Sequence, residues 1–174
     1  GSRALQACAY SHAMLCYQET LVMASGYDHG LRGPDCGNLV DSEFLSDYAN
    51  ALLCCDRICD AAEQCESAVR IAEADAPGTR ARALRTRGKV LVALRGYDEA
   101  ERDLADSLRI YQDIGDTASE VEALAGLSAL YAVSGRVGEA IKYSLDAADR
   151  CARLDGPVYE GGAGYYRAYA AFLD

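Results

Sequence analysis

The chain has 174 residues, 51% of them apolar and 25% charged, and its 27 acidic residues outnumber 17 basic ones to give a formal charge of −10. Such a composition excludes a disordered chain, and its field repels phosphate backbones, so no direct nucleic-acid contact by this segment is expected. No apolar run nears the ~20 residues that span a bilayer and no basic start precedes an apolar stretch, so no membrane contact and a cytoplasmic location are expected.

Alanine and leucine are frequent and prolines number only 3, which favours helix throughout. The first predicted element is a helix over 4–24. A connector over 25–40 follows, rich in Gly and longer than its later counterparts; it reads either as a place for specific contacts or as a surface loop. Leu45, Tyr48, Ala49 and Leu52 then recur at helical spacing, and a second helix covers Ile58 to Ile71. The same pair returns with Leu84, Gly88 and Leu91 before Tyr97 to Ile110. It returns again with Leu124, Leu127, Ser128 and Tyr131 before Val137 to Arg150. A last helix is expected over 159–173.

These elements repeat. Tyr97-Asp-Glu-Ala-Glu-Arg-Asp-Leu-Ala-Asp-Ser-Leu-Arg-Ile110 lies on the segment that starts 39 residues earlier at Ile58 and on the one that starts 40 later at Val137. A fourth copy starts at Tyr10, and the registering alanines are Ala13, Ala61, Ala100 and Ala140. What repeats is small or apolar character, with a small residue (Ala49, Gly88, Ser128) in the middle of each first helix. Two small residues facing each other let antiparallel helices approach closely. Gly96 and Gly135 are expected to close the first helices in the left-handed conformation. Pro34, Pro77 and Pro157 all fall between one hairpin and the next, where they interrupt no helix. The expected partition of the single domain is a partial repeat at 1–24, the connector at 25–40, repeats at 41–76, 77–116 and 117–156, and a terminal helix at 157–174.

This pattern resembles the tetratricopeptide repeat (TPR), in the variant of about 40 residues rather than the usual 34 or so. Gly88…Tyr97-Asp-Glu-Ala100…Ser107 and Leu124…Ser128…Gly135…Ala140…Ala147 carry the likeness. The unit around Ala61 fits less closely, with Asp56 where glycine is common. Leu45, Leu84 and Leu124 replace the family's usual aromatic, and Arg87 stands at a usually apolar position. The resemblance implies an all-α, right-handed α-solenoid of antiparallel helical hairpins with about eight helices. Its concave side would bind a protein or peptide through Glu43, Ser46, Asn50 and Leu53, then Arg85, Lys89 and Val92. Glu122, Ala125, Ala129 and Ala132 would follow, with Tyr165, Tyr169 and Phe172 from the last helix.

Asn50, Arg85 and Lys89 could receive a peptide backbone or a carboxylate, or be ordinary solvated residues. The fuller Lys/Asn set with which some relatives hold a chain terminus is mostly missing. Tyr165, Tyr166, Tyr169 and Phe172 read more readily as a surface for a following helix. Both end helices leave one apolar side open, so self-association through an end, or marginal solubility, is expected. The chain reads as a piece of a longer protein, similar to the repeats of large bacterial transcriptional regulators or those beside caspase-like protease domains. A small-ligand or signalling-peptide receptor is the second reading.

No enzyme and no cofactor are expected. His12 and His29 have no nucleophile in a motif nearby; Asp28-His29 reads as a polar turn and Gly161 to Gly164 as a helix start. The motifs of serine hydrolases, zinc proteases and phosphate-binding loops are missing. Of the 8 cysteines, Cys54, Cys55, Cys59 and Cys65 cluster without the paired knuckles that zinc favours. They read as small buried apolar residues in a reducing compartment, with a metal site or disulfides as the alternatives.

Overall fold

Local capping decides where the helices begin. The side chain of Asp41 accepts a hydrogen bond from the Phe44 N–H at 2.8 Å and opens the helix Ser42–Cys54; Asp116 accepts from Ser119 N–H at 3.1 Å and opens Thr117–Val133. Pro77 and Pro157 each open a further helix, where the missing N–H would have had no helical partner. The structure is a computed structural model that describes residues 2–26, 41–73 and 75–174. Within them lie α1 (Ser2–Gly26), α2 (Ser42–Cys54), α3 (Ile58–Ala72), α4 (Pro77–Ala93), α5 (Tyr97–Ile114), α6 (Thr117–Val133), α7 (Val137–Cys151) and α8 (Pro157–Leu173). The fold is an all-α solenoid. Of the expected connector, Ser25 and Gly26 belong to α1, while 27–40, with His29, Pro34 and Cys36, lie outside the described residues.

The turns inside the hairpins differ from expectation in one detail. The left-handed residue is Asp56 (φ 61°) after α2, Arg95 (φ 62°) after α4 and Gly135 (φ 80°) after α6. Gly96 has φ −80° and sits one residue too late. Each turn nonetheless closes alike: the N–H groups of Arg57, Gly96 and Arg136 donate to the carbonyls of Leu52, Leu91 and Tyr131 at 2.8–2.9 Å. This bond anchors the turn whatever the side chain. An arginine in the left-handed region is strained, so Arg95→Gly is expected to stabilise by about 0.5–1 kcal/mol in urea unfolding.

The small residues meet as their spacing required. Ala49, Ala61, Ala100 and Ala140 have no exposed surface, and Ser128 almost none. The Ser128 hydroxyl donates to the Ala140 carbonyl at 2.8 Å, which satisfies a polar group in a contact otherwise suited to alanine. Buried serines repeat the device elsewhere: Ser42 to Ala68 at 2.9 Å, Ser107 to Ala81 at 2.8 Å, Ser144 to Tyr166 at 2.8 Å. Leu104 packs closely both inside its own hairpin and against the next one. A Cβ on Gly88 would stand 2.7 Å from its Cγ, and one on Gly126 would stand 2.8 Å from its Cδ2. Leu104 therefore fills a slot that two glycines leave open. Leu45, Leu84 and Leu124 are buried.

Arg87, at the usually apolar position, forks onto Asp103 with two hydrogen bonds of 2.6 and 2.8 Å and reaches Glu66 at 3.4 Å. One guanidinium thus ties α4 to α5 and α3.

Successive helices pack in order, and α2 also touches α4 directly, as α4 does α6. No comparable contact joins α3 to α5 or α5 to α7 among the described residues. A layer in which neighbours crowd is the inner side of a curve. The first helices α2, α4 and α6 therefore line the concave face. At one end α1 lays Met14, Tyr17 and Leu21 on the α2–α3 core, with the Tyr17 and Phe44 rings 5.0 Å apart. At the other, α8 covers α7, and the Gly161 to Gly164 run lies inside this helix rather than at its start.

Candidate functional site

The concave layer holds a cleft of about 450 Å³. Leu53 from the end of α2, Lys89 and Val92 from α4, and Glu122, Ala125 and Ala129 from α6 line it. Gly126 and Tyr166 complete the wall. Three features of the sequence make the space. Ala125, Gly126 and Ala129 put a strip with almost no side chain along α6; Leu53 and Val92 flank it with aliphatic surface; Tyr166 closes the α8 side. An apolar pocket with few polar groups of fixed position is the usual form of a binding site.

The remaining groove candidates are placed otherwise. Ser46 is fully buried, its hydroxyl bonded to the Ser42 carbonyl at 2.7 Å, so it is taken out of the groove. Asn50 is half-buried and donates to the Ser46 carbonyl at 3.0 Å and the Thr86 hydroxyl at 3.3 Å, stitching α2 to α4. Glu43 is exposed and lies 4.0 Å from Arg82. Arg85 is buried, pairs with Glu122 at 2.5 Å and lies 5.9 Å from the centre of the Tyr111 ring. Its charge is already answered inside the protein. On α8 it is Tyr166 that lines the cleft. Tyr165 points to solvent and leans edge-on against Tyr166, with centroids 5.3 Å apart, and Tyr169 stacks on Tyr165 at 6.3 Å. Phe172 is exposed.

Lys89 stands apart. No carboxylate pairs with it among the described residues. Burial holds its ammonium below the usual lysine range, and the neighbouring Arg85 charge adds to this, while Glu122 and Cys54 oppose it.

The cysteines divide. Cys65 and Cys151 are buried as expected of small apolar residues, but Cys54 and Cys59 are exposed and Cys55 is intermediate. Among the described residues no three His, Cys, Asp or Glu side chains are placed to hold a metal ion. Burial pushes the Cys65 thiol up to about 12, and the thiolate is the reactive form. Iodoacetamide at mildly alkaline pH is therefore expected to label Cys16, Cys54 and Cys59 in the native chain and to spare Cys65 and Cys151, read by peptide mass mapping. Labelling of Cys65 at the rate of Cys59 would contradict the packing of α3.

No family model matches the sequence, and no curated protein does. Solved structures do. The chain is similar to BtubC from P. vanneervenii, with 20% identity and a TM-score of 0.69 over 95% of this chain and 66% of BtubC, just under two thirds of that protein's length. It is similar to the crystal structure of "Podosopora anserina putative kinesin light chain nearly identical TPR-like repeats", with 15% identity and a TM-score of 0.68 over 99% of this chain and 85% of that one. A second crystal structure under the same Podosopora anserina description gives 16% identity and a TM-score of 0.69, over 99% of this chain and 84% of that one. Together with the hairpins, their small-residue contacts and the concave first-helix layer, these likenesses show that the chain has the tetratricopeptide-like solenoid fold.

Proposed function

We propose that the chain is a protein-interaction scaffold that holds an extended partner segment in the concave cleft of α2, α4, α6 and α8. The observation that carries this reading is the cleft itself: an apolar strip with open space over Ala125 and Ala129, rimmed by aliphatic side chains. The sequence offers no catalytic constellation to compete with it, and an acidic chain of charge −10 is a poor match for nucleic acid. Among the described residues no helix is long and apolar enough to cross a membrane. The finer reading is of an interaction or sensor segment in a larger, cytoplasmic bacterial protein of transcription regulation or signalling, which rests on the character of the repeats.

Filling the cleft tests the scaffold reading. Ala129→Trp should remove partners that wild type retains, while Arg109→Ala on the exposed side of α5 should keep them. Equal partner sets for wild type and Ala129→Trp would overturn it. The size of the cleft, within the range of small-molecule sites, also favours a second reading as a receptor for a small ligand or signalling peptide. A ligand of that kind would raise the melting temperature with its concentration.

A further inference from the structure

Inside the cleft one cation has no ion pair among the described residues. Arg85 and Glu122 answer each other at 2.5 Å across α4 and α6, and the Asn50 amide is spent on the Ser46 carbonyl and the Thr86 hydroxyl. Lys89 lies in the same cleft with no carboxylate partner among the described residues. Lys89 is half-buried, so its ammonium is partly desolvated and, among the described residues, in no ion pair; a carboxylate from outside can offset that cost.

We propose that the cleft recognises one acidic side chain within an apolar stretch of an extended peptide, the carboxylate meeting Lys89 and an adjoining aliphatic or aromatic side chain lying over Ala125 and Ala129. This rests on the reading of the cleft as a peptide site and adds the chemistry of its occupant. Three observations choose this occupant. The apolar walls from Leu53 and Val92 reward an apolar neighbour rather than a second charge. The overall charge of −10 repels a run of acidic residues, so a single acid set among apolar ones suits both the local and the global field. A chain terminus is better held by several convergent donors, and here Arg85 and Asn50 are engaged, leaving a single point charge.

The experiment starts from a library of random peptides displayed on phage and selected on this chain. Selected sequences should carry Asp or Glu beside Leu, Ile, Val or Phe. A synthetic peptide of the most enriched sequence is then compared with its acid-to-amide form by fluorescence anisotropy, on wild type, Lys89→Gln and Ala129→Trp. The amide form should bind wild type about tenfold or more weakly. Lys89→Gln should bind both forms alike, and Ala129→Trp neither. Blocking the peptide's terminal carboxylate should change nothing. Circular dichroism melting checks the fold of the variants: Lys89→Gln should melt no lower than wild type, because burial and the Arg85 charge disfavour the ammonium more than Glu122 favours it.

The outcomes separate the two readings. Equal affinity of acid and amide forms for wild type, discrimination retained by Lys89→Gln, or a requirement for the terminal carboxylate overturns the inference. With Ala129→Trp still blocking binding, the peptide cleft stands. A library that yields no binder, or one that binds Ala129→Trp as tightly as wild type, overturns both.

Discussion

Leu104→Ala is expected to lower the unfolding free energy by about 3–5 kcal/mol, the upper part of the range for a buried leucine. The side chain has no exposed surface and occupies the slot between Gly88 and Gly126. Glycines have nothing to move into the hole, and the helices that carry them are held by other contacts, so the cavity should persist. Urea unfolding followed by circular dichroism measures this; Leu145→Ala, whose side chain is 44% exposed, is the control and should change little. Gly88→Ala alone should also destabilise, because its Cβ meets the Leu104 Cγ, which is not a freely moving chain end. In the Leu104→Ala background the same change should stabilise instead, since the new methyl finds space. That reversal of sign is a coupling that independent sites do not show.

Asp103→Ala should cost about 2–4 kcal/mol, somewhat below the range for breaking a fully buried pair. The discount follows from exposure: the Arg87 side chain keeps 24% and Asp103 only 10%. Removing the aspartate strands a guanidinium among α3, α4 and α5 with only the exposed Glu66 beside it at 3.4 Å. Arg87→Met together with Asp103→Leu should recover most of the loss, because neither partner is then left unpaired. Unfolding curves of wild type, Asp103→Ala and the double variant give the comparison. A double variant as unstable as Asp103→Ala would mean that the forked pair contributes through something other than its charge.

The parts of the fold that sterics dictate were legible in the sequence. Ala49 with Ala61, Gly88 with Ala100 and Ser128 with Ala140 had to meet because bulk there would separate the helices, and they are buried. Where several residue types can do one job, the signal faded. Asp56 and Arg95 take the left-handed turn position that glycine takes at Gly135, so glycine alone misplaced the turn at Gly96. Arg87 reads as a misplaced charge until Asp103 is seen opposite, on a different helix. Of the residues that the family resemblance assigns to a groove, Leu53, Lys89, Val92, Glu122, Ala125 and Ala129 line the cleft. On α8 the register slipped from Tyr166 to its neighbour Tyr165, and one residue turns a helical side chain by about 100°. Ser46 and Arg85 were counted as groove residues because register gives the direction of a side chain and says nothing of depth. Arg85 also shows that two residues counted separately for the groove can answer each other, here through Glu122.

Photo-cross-linking addresses the concave cleft most directly. A benzophenone amino acid replaces Val92 at the cleft rim in one variant and Asp113, exposed on α5, in another, and each is irradiated with the peptide selected on wild type. Adducts at position 92 and none at 113 are expected, competed away by unlabelled peptide. Adducts of equal yield at both positions, or at 113 alone, would contradict a partner seated between the first helices.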